Sequence, residues 1–197
     1  MGSYLNPGNK GFQESLNSEI YVDKTGLIEK TNEVLDTRQK FLCVSRPRRF
    51  GKSMAADMLA AYYERGEDSA ELFGTLKISK VESYEKNRNQ YDIIKVNMQE
   101  FLSMTHSMDE MLSMLQKYLI FDLTDHFDNV RFRDENNLIQ VMKDIYSKTK
   151  HSFVILIDEW DCLFREYQQD QEAQKKYLDF LRAWLKDKDY VALAYMT

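Results

Sequence analysis

The chain has 197 residues, 43% hydrophobic and 13% aromatic, enough for one globular domain with a substantial core, and 30% charged residues keep its surface solvated. A formal net charge of −5 argues against a broad nucleic-acid-binding surface, and no apolar run approaches the ~20 residues of a bilayer-spanning helix. The opening Met1-Gly2-Ser3-Tyr4-Leu5-Asn6-Pro7-Gly8 lacks the basic and apolar regions of a secretory leader, so a cytoplasmic location without a membrane partner is expected.

In chain order, Leu27, Ile28, Thr31, Val34 and Leu35 recur at helical spacing, and Phe41-Leu42-Cys43-Val44 reads as a short buried strand. The charged run Arg46–Ser53 follows, then a helix from Met54 to Tyr63 free of glycine and proline. The stretch 64–90 is the least regular, with a helix expected around Ala70-Glu71-Leu72-Phe73 and a loop after it. A strand is predicted from Tyr91 to Asn97, a helix carrying Met111, Leu112, Leu115, Tyr118 and Leu119, and another carrying Leu138, Ile139, Met142, Ile145 and Tyr146. Phe153-Val154-Ile155-Leu156-Ile157 is continuously apolar, as expected of a strand covered on both faces of a parallel sheet. A helical face of Tyr177, Phe180, Leu181, Trp184 and Leu185 and a strand from Tyr190 to Thr197 close the chain. Strands alternating with helices predict an α/β domain with right-handed crossovers and a mostly parallel sheet. Met104, Met108, Met111 and Met114 read as core filling.

The run Arg46-Pro47-Arg48-Arg49-Phe50-Gly51-Lys52-Ser53 lies between a strand and a helix and matches the phosphate-loop pattern G-x-x-x-x-G-K-[ST] except that Arg46 replaces the first glycine. Gly51, lacking a Cβ, lets backbone N–H groups approach a phosphate oxygen. Lys52 supplies a point charge for the β- and γ-phosphates, Ser53 a hydroxyl for Mg²⁺, and the helix beginning near Met54 a partial positive charge. A chance Gly-Lys-Ser on a surface helix is the competing explanation, and the second half of the site weighs against it. The apolar strand 153–157 ends in Asp158-Glu159, resembling the Walker B element of P-loop NTPases, where Asp158 would hold Mg²⁺ and Glu159 would polarise the attacking water. Cys43 and Cys162 read as reduced and structural, and His106, His126 and His151 lack metal-ligand spacing.

Together, Tyr21-Val22-Asp23-Lys24-Thr25, the loop from Arg46 to Ser53, Leu72-Phe73-Gly74-Thr75-Leu76-Lys77-Ile78 and Ile157-Asp158-Glu159-Trp160-Asp161 resemble the predicted AAA-ATPase-like proteins. In that family an arginine at the first loop glycine is characteristic, tyrosine is usual where Trp160 stands, and a PD-(D/E)XK nuclease-like domain often follows. The resemblance implies a three-layer P-loop NTPase sandwich, with an N-terminal helical segment (1–40) and a nucleotide-binding core (41–197). It also implies ATP and Mg²⁺ as ligands, leaves a homo-oligomer open, and allows nucleic acid as a partner only through a C-terminal nuclease-like domain absent from this sequence. It further implies a sheet order of 5-1-4-3-2 with a polar sensor at Thr197, where the expected domain breaks off after its fourth core strand and leaves the strand from Phe41 to Val44 as an unprotected sheet edge. Thr25 is expected to cap the helix carrying Leu27 and Ile28, with a base or ribose contact by this segment as the alternative. Two functions follow: Mg²⁺-dependent ATP hydrolysis, or a nucleotide-responsive binding module with little turnover.

Overall fold

The computed structural model describes residues 2–45 and 51–197. Helices α1 (Lys10–Leu16) and α2 (Gly26–Val34) precede the short strand β1 (Phe41–Cys43). Next come α3 (Lys52–Tyr63), α4 (Ala70–Phe73), a 3-10 turn (Lys77–Lys80) and α5 (Tyr84–Asn87). Strand β2 (Asp92–Asn97) is followed by α6 (Met98–Ser103), α7 (Met108–His126) and α8 (Leu138–Thr149). Strand β3 (Phe153–Asp158) is followed by α9 (Cys162–Glu166), α10 (Gln171–Leu185) and β4 (Val191–Met196).

All strand pairs are parallel and the order is β1-β4-β3-β2, so β4 enters between β1 and β3 as the resemblance implies. Every residue of β3 is buried, which accounts for its unbroken apolar run. Its side chains alternate between two cores. Phe153, Ile155 and Ile157 join the cluster built by α6 to α10, whereas Val154 and Leu156 join Met58, Leu59, Tyr62 and Tyr63 of α3. In β4 the alternation slips once: Phe153 pairs with Val191 but Val154 pairs with Leu193, so Ala192 and Leu193 both serve the α3 side. The expected three-layer sandwich results.

Strand β1 is the open sheet edge expected where the domain breaks off after its fourth core strand: although its apolar run resembles a buried strand, Phe41 is 38% exposed and Cys43 is exposed as well, because β4 flanks it on one side only. The loop expected after α4 is instead the 3-10 turn and α5, each anchored by a buried apolar residue, Ile78 and Tyr84. Single-turn helices carry too little periodicity to be read from sequence. Helix α6 was also missed; Asn97 caps it by accepting the Gln99 N–H at 2.9 Å, and Met98 and Phe101 bury its inner face. Of the four methionines read as core, Met108 and Met111 are buried and Met114 packs at the margin, but Met104 is 45% exposed because α6 ends there. Among the described residues, no helix is long and apolar enough to cross a membrane.

Candidate phosphate and metal site

Parallel strands bring their C-terminal ends to one edge, where a doubly covered sheet binds its ligands. That edge carries Asn97 of β2, Asp158 of β3 and Thr197 after β4, with the N-terminus of α3 beside them. Gly51 is the N-cap of α3 and has φ +74°, a left-handed conformation that a side chain would strain. Lys52 and Met54, the first and third residues of α3, are half-buried. Arg46, Pro47, Arg48, Arg49 and Phe50 lie outside the described residues.

Folding closes 105 residues of separation between the two motifs. The Ser53 hydroxyl donates to Asp158 Oδ2 at 2.6 Å, and the backbone N–H of Glu159 donates to Asp158 Oδ1 at 2.9 Å. Asp158 is only 5% exposed, so both contacts answer the cost of burying a carboxylate. Glu159 then takes φ +51°, a conformation costing a non-glycine residue roughly 1–2 kcal/mol, which turns the chain sharply out of β3. Hydrogen bonds hold this turn in place. Trp160 N–H donates to the Thr197 carbonyl at 3.2 Å, Thr197 N–H donates to the Ile157 carbonyl at 2.9 Å, and the buried Tyr177 hydroxyl donates to the Trp160 carbonyl at 2.8 Å. Thr197 is itself buried, and its Oγ1 meets no hydrogen-bond partner among the described residues.

Arg165 of α9 was not anticipated. One of its amino groups pairs with Glu159 Oε2 and another with Asp161 Oδ1. The i, i+4 spacing from Asp161 was a readable signal, but the contact with Glu159 exists only because the chain reverses at positive φ. Thr25 is a second revision. It stands at the N-cap of α2 but makes no side-chain cap bond; its hydroxyl donates to Asp23 Oδ1 at 2.6 Å and accepts from Ile78 N–H at 3.1 Å. The neighbouring Asp23 carboxyl sits below the usual range: partial burial opposes this, but the Thr25 hydroxyl and the N–H groups of Lys77 and Thr25 prevail.

At the opposite end of the sheet, His126 and His151, far apart in sequence, meet the buried Asp92 at 3.9 and 3.1 Å. No group of three or more His, Cys, Asp and Glu side chains among the described residues is arranged to hold a metal ion. Cys162 is buried, and burial pushes its thiol up to about 11, consistent with a structural role. A cavity of about 1130 Å³ runs beside β1 and α10, lined by Phe41, Leu178 and Leu181, and touches the site only through Trp160 and Met196. Among the described residues, its lining includes none of Gly51, Lys52, Ser53 and Asp158.

Comparison with curated proteins and with solved structures returned no match. A family model described as predicted AAA-ATPase matches residues 8–193, a span that contains every motif from Tyr21 to Asp161. The chain therefore belongs to the AAA-ATPase-like family.

Proposed function

We propose that the chain binds Mg²⁺-ATP at the α3 N-terminus and hydrolyses it. The observation that carries this reading is the 2.6 Å contact between Ser53 and Asp158, which joins a phosphate-loop hydroxyl to the buried carboxylate after β3. In this reading the backbone N–H groups of Gly51 to Met54 and the loop residues Arg46, Pro47, Arg48, Arg49 and Phe50 cradle the phosphates, while Lys52 neutralises their charge.

Ser53 and Asp158 offer a hydroxyl and a carboxylate, the hard oxygen ligands that suit Mg²⁺, and they would hold it. Bound there, the ion would supply neutralisation of charge on the phosphate oxygens. Glu159 receives the proton of the attacking water as the new oxygen–phosphorus bond forms and the bond to the bridging oxygen breaks. Only Oε2 of Glu159 is engaged by Arg165, so the carboxylate can serve as base through Oε1 or after the pair opens. The Thr197 hydroxyl, buried at the same edge without a hydrogen-bond partner among the described residues, would sense the terminal phosphate.

Lys52→Ala is expected to remove most Mg²⁺-ATP affinity in calorimetry, and equal binding by both proteins would reject the site. Glu159→Gln should retain binding and lose hydrolysis in single-turnover assays, because the amide keeps its size but cannot take a proton. Asp158→Asn should weaken the Mg²⁺ dependence of binding instead. Identical losses in the two variants would refute separate roles.

A second reading, a nucleotide-responsive module with little turnover, is favoured by one observation: Arg165 holds Glu159 in an ion pair. Normal ATP binding with turnover unchanged by Glu159→Gln would select it.

A further inference from the structure

Lys24 lies between two residues whose side chains are committed to holding the backbone. Asp23 Oδ1 accepts from the Thr25 N–H at 2.9 Å and hydroxyl at 2.6 Å, and Asp23 Oδ2 accepts from Lys77 N–H at 2.8 Å. Thr25 is fully buried and accepts from Ile78 N–H at 3.1 Å, which ties the tripeptide to the 3-10 turn at 77–80. The Lys24 carbonyl in turn accepts from Leu27 N–H at 2.9 Å as α2 begins. With its neighbours fixed on both sides, the exposed Lys24 side chain leaves from a rigid base.

Its ammonium reaches the phosphate loop. A β-carbon built on Gly51 would lie 2.9 Å from Lys24 Nζ. The positive φ is what requires glycine at position 51, since a flexible lysine end could shift away from a side chain there. Lys24, the adjacent Lys52 and the N-terminus of the 12-residue helix α3 thus place three sources of positive charge around one glycine. A phosphate held at that helix N-terminus would be attracted by both ammonium groups.

We propose that Lys24 is a second phosphate-binding cation, contacting the phosphate chain of the nucleoside triphosphate alongside Lys52. This rests on the reading of Gly51 to Ser53 as the phosphate site. It assigns the Asp23-Lys24-Thr25 segment a phosphate contact in place of a base or ribose contact. Asp23 and Thr25 are positioning residues that tie the Lys24 backbone to Lys77 and Ile78.

The test uses the full chain with Lys24→Met, which keeps the aliphatic stem, and Lys24→Arg, which restores a cation. Calorimetry is run with Mg²⁺-ATP, inorganic tripolyphosphate and adenosine, and thermal unfolding is run without ligand. Lys24→Met should weaken ATP and tripolyphosphate by about tenfold, the low end for a hydrogen bond to a charged group because the lysine is exposed. Lys24→Arg should recover most of that loss, and adenosine binding and the unliganded melting temperature should stay at wild-type values. Wild-type ATP affinity in Lys24→Met, with affinity lost in Lys52→Ala, would overturn the proposal and leave the site reading intact. An equal loss for adenosine would overturn it in favour of a base or ribose contact. A lowered unliganded melting temperature without rescue by arginine would reduce Lys24 to a structural brace. A wild-type chain that binds neither ATP nor tripolyphosphate would overturn both readings together.

Discussion

Replacing Ser53 by alanine removes the hydroxyl that donates to Asp158 Oδ2 at 2.6 Å and leaves the Glu159 N–H on Oδ1 at 2.9 Å. Asp158 is 5% exposed, but Ser53 is on the exposed side of the contact, so water can reach the vacated oxygen. A hydrogen bond to a charged group contributes ~1.5–3 kcal/mol, and the partial replacement by water brings the expected cost to about 1–1.5 kcal/mol. For a domain of this size each kcal/mol lowers the melting temperature by ~2–4 °C, so a fall of about 2–6 °C is expected. The assay is thermal unfolding of the nucleotide-free chain, wild type against Ser53→Ala and Ser53→Thr. Threonine keeps the hydroxyl and should return most of the loss. An unchanged midpoint in the alanine variant, or an equal fall in both, would refute the argument that this hydroxyl supports the buried carboxylate.

Arg165→Ala releases Glu159 from a partly exposed pair worth ~0.2–1 kcal/mol, so the turnover rate should rise by about 1.5- to 5-fold at little change in ATP affinity; a slower variant would show that the pair positions the base. Burial, with the nearby carboxylates of Glu67 and Asp92, pushes the Glu64 carboxyl up to about 7 from its ordinary 4.5, against the opposing N–H of Gly8. The folded chain then holds that proton more tightly than the unfolded one, so Glu64's stabilising share is complete below pH 4.5 and lost as pH rises to about 7. The slope is at most ~1.4 kcal/mol per pH unit. Urea unfolding of wild type against Glu64→Gln should diverge across that window, and parallel profiles would refute the assignment. A thiol reagent at mildly alkaline pH should label the exposed Cys43 and spare the buried Cys162, and comparable labelling rates would contradict the described burial. Phe41→Lys should reduce concentration-dependent self-association in sedimentation, because Phe41 sits exposed on the end strand; unchanged association would exclude that edge as the contact.

Much of the site was legible because its residue types are demanded by local chemistry. Gly51 must adopt a positive φ at the head of a helix, and Lys52 and Ser53 follow it in the chain. Asp158-Glu159 announces itself as an acidic pair at the end of an apolar run. The contact of Arg165 with Glu159 was not legible, because it depends on the chain reversal at Glu159, and the sequence offered a base or ribose contact for the segment of Lys24 without its approach to Gly51. The Thr25 cap was misjudged for a related reason. Its position at the start of α2 is a local fact, but its hydroxyl was claimed by Asp23 and by the N–H of Ile78, 53 residues away.

The sequence by itself determined the types of the longer elements and the central burial of Phe153–Asp158, but not the short helices α5 and α6, because periodicity, β-branching and glycine conformations act over a few neighbouring residues. Only the tertiary structure decided that β4 would accommodate a register slip at Ala192 and that Lys24 would stand against Gly51. These depend on which segments meet across the sheet, and the free energy of such meetings comes from shared burial and long-range hydrogen bonds, which have no signature in any single stretch of the chain.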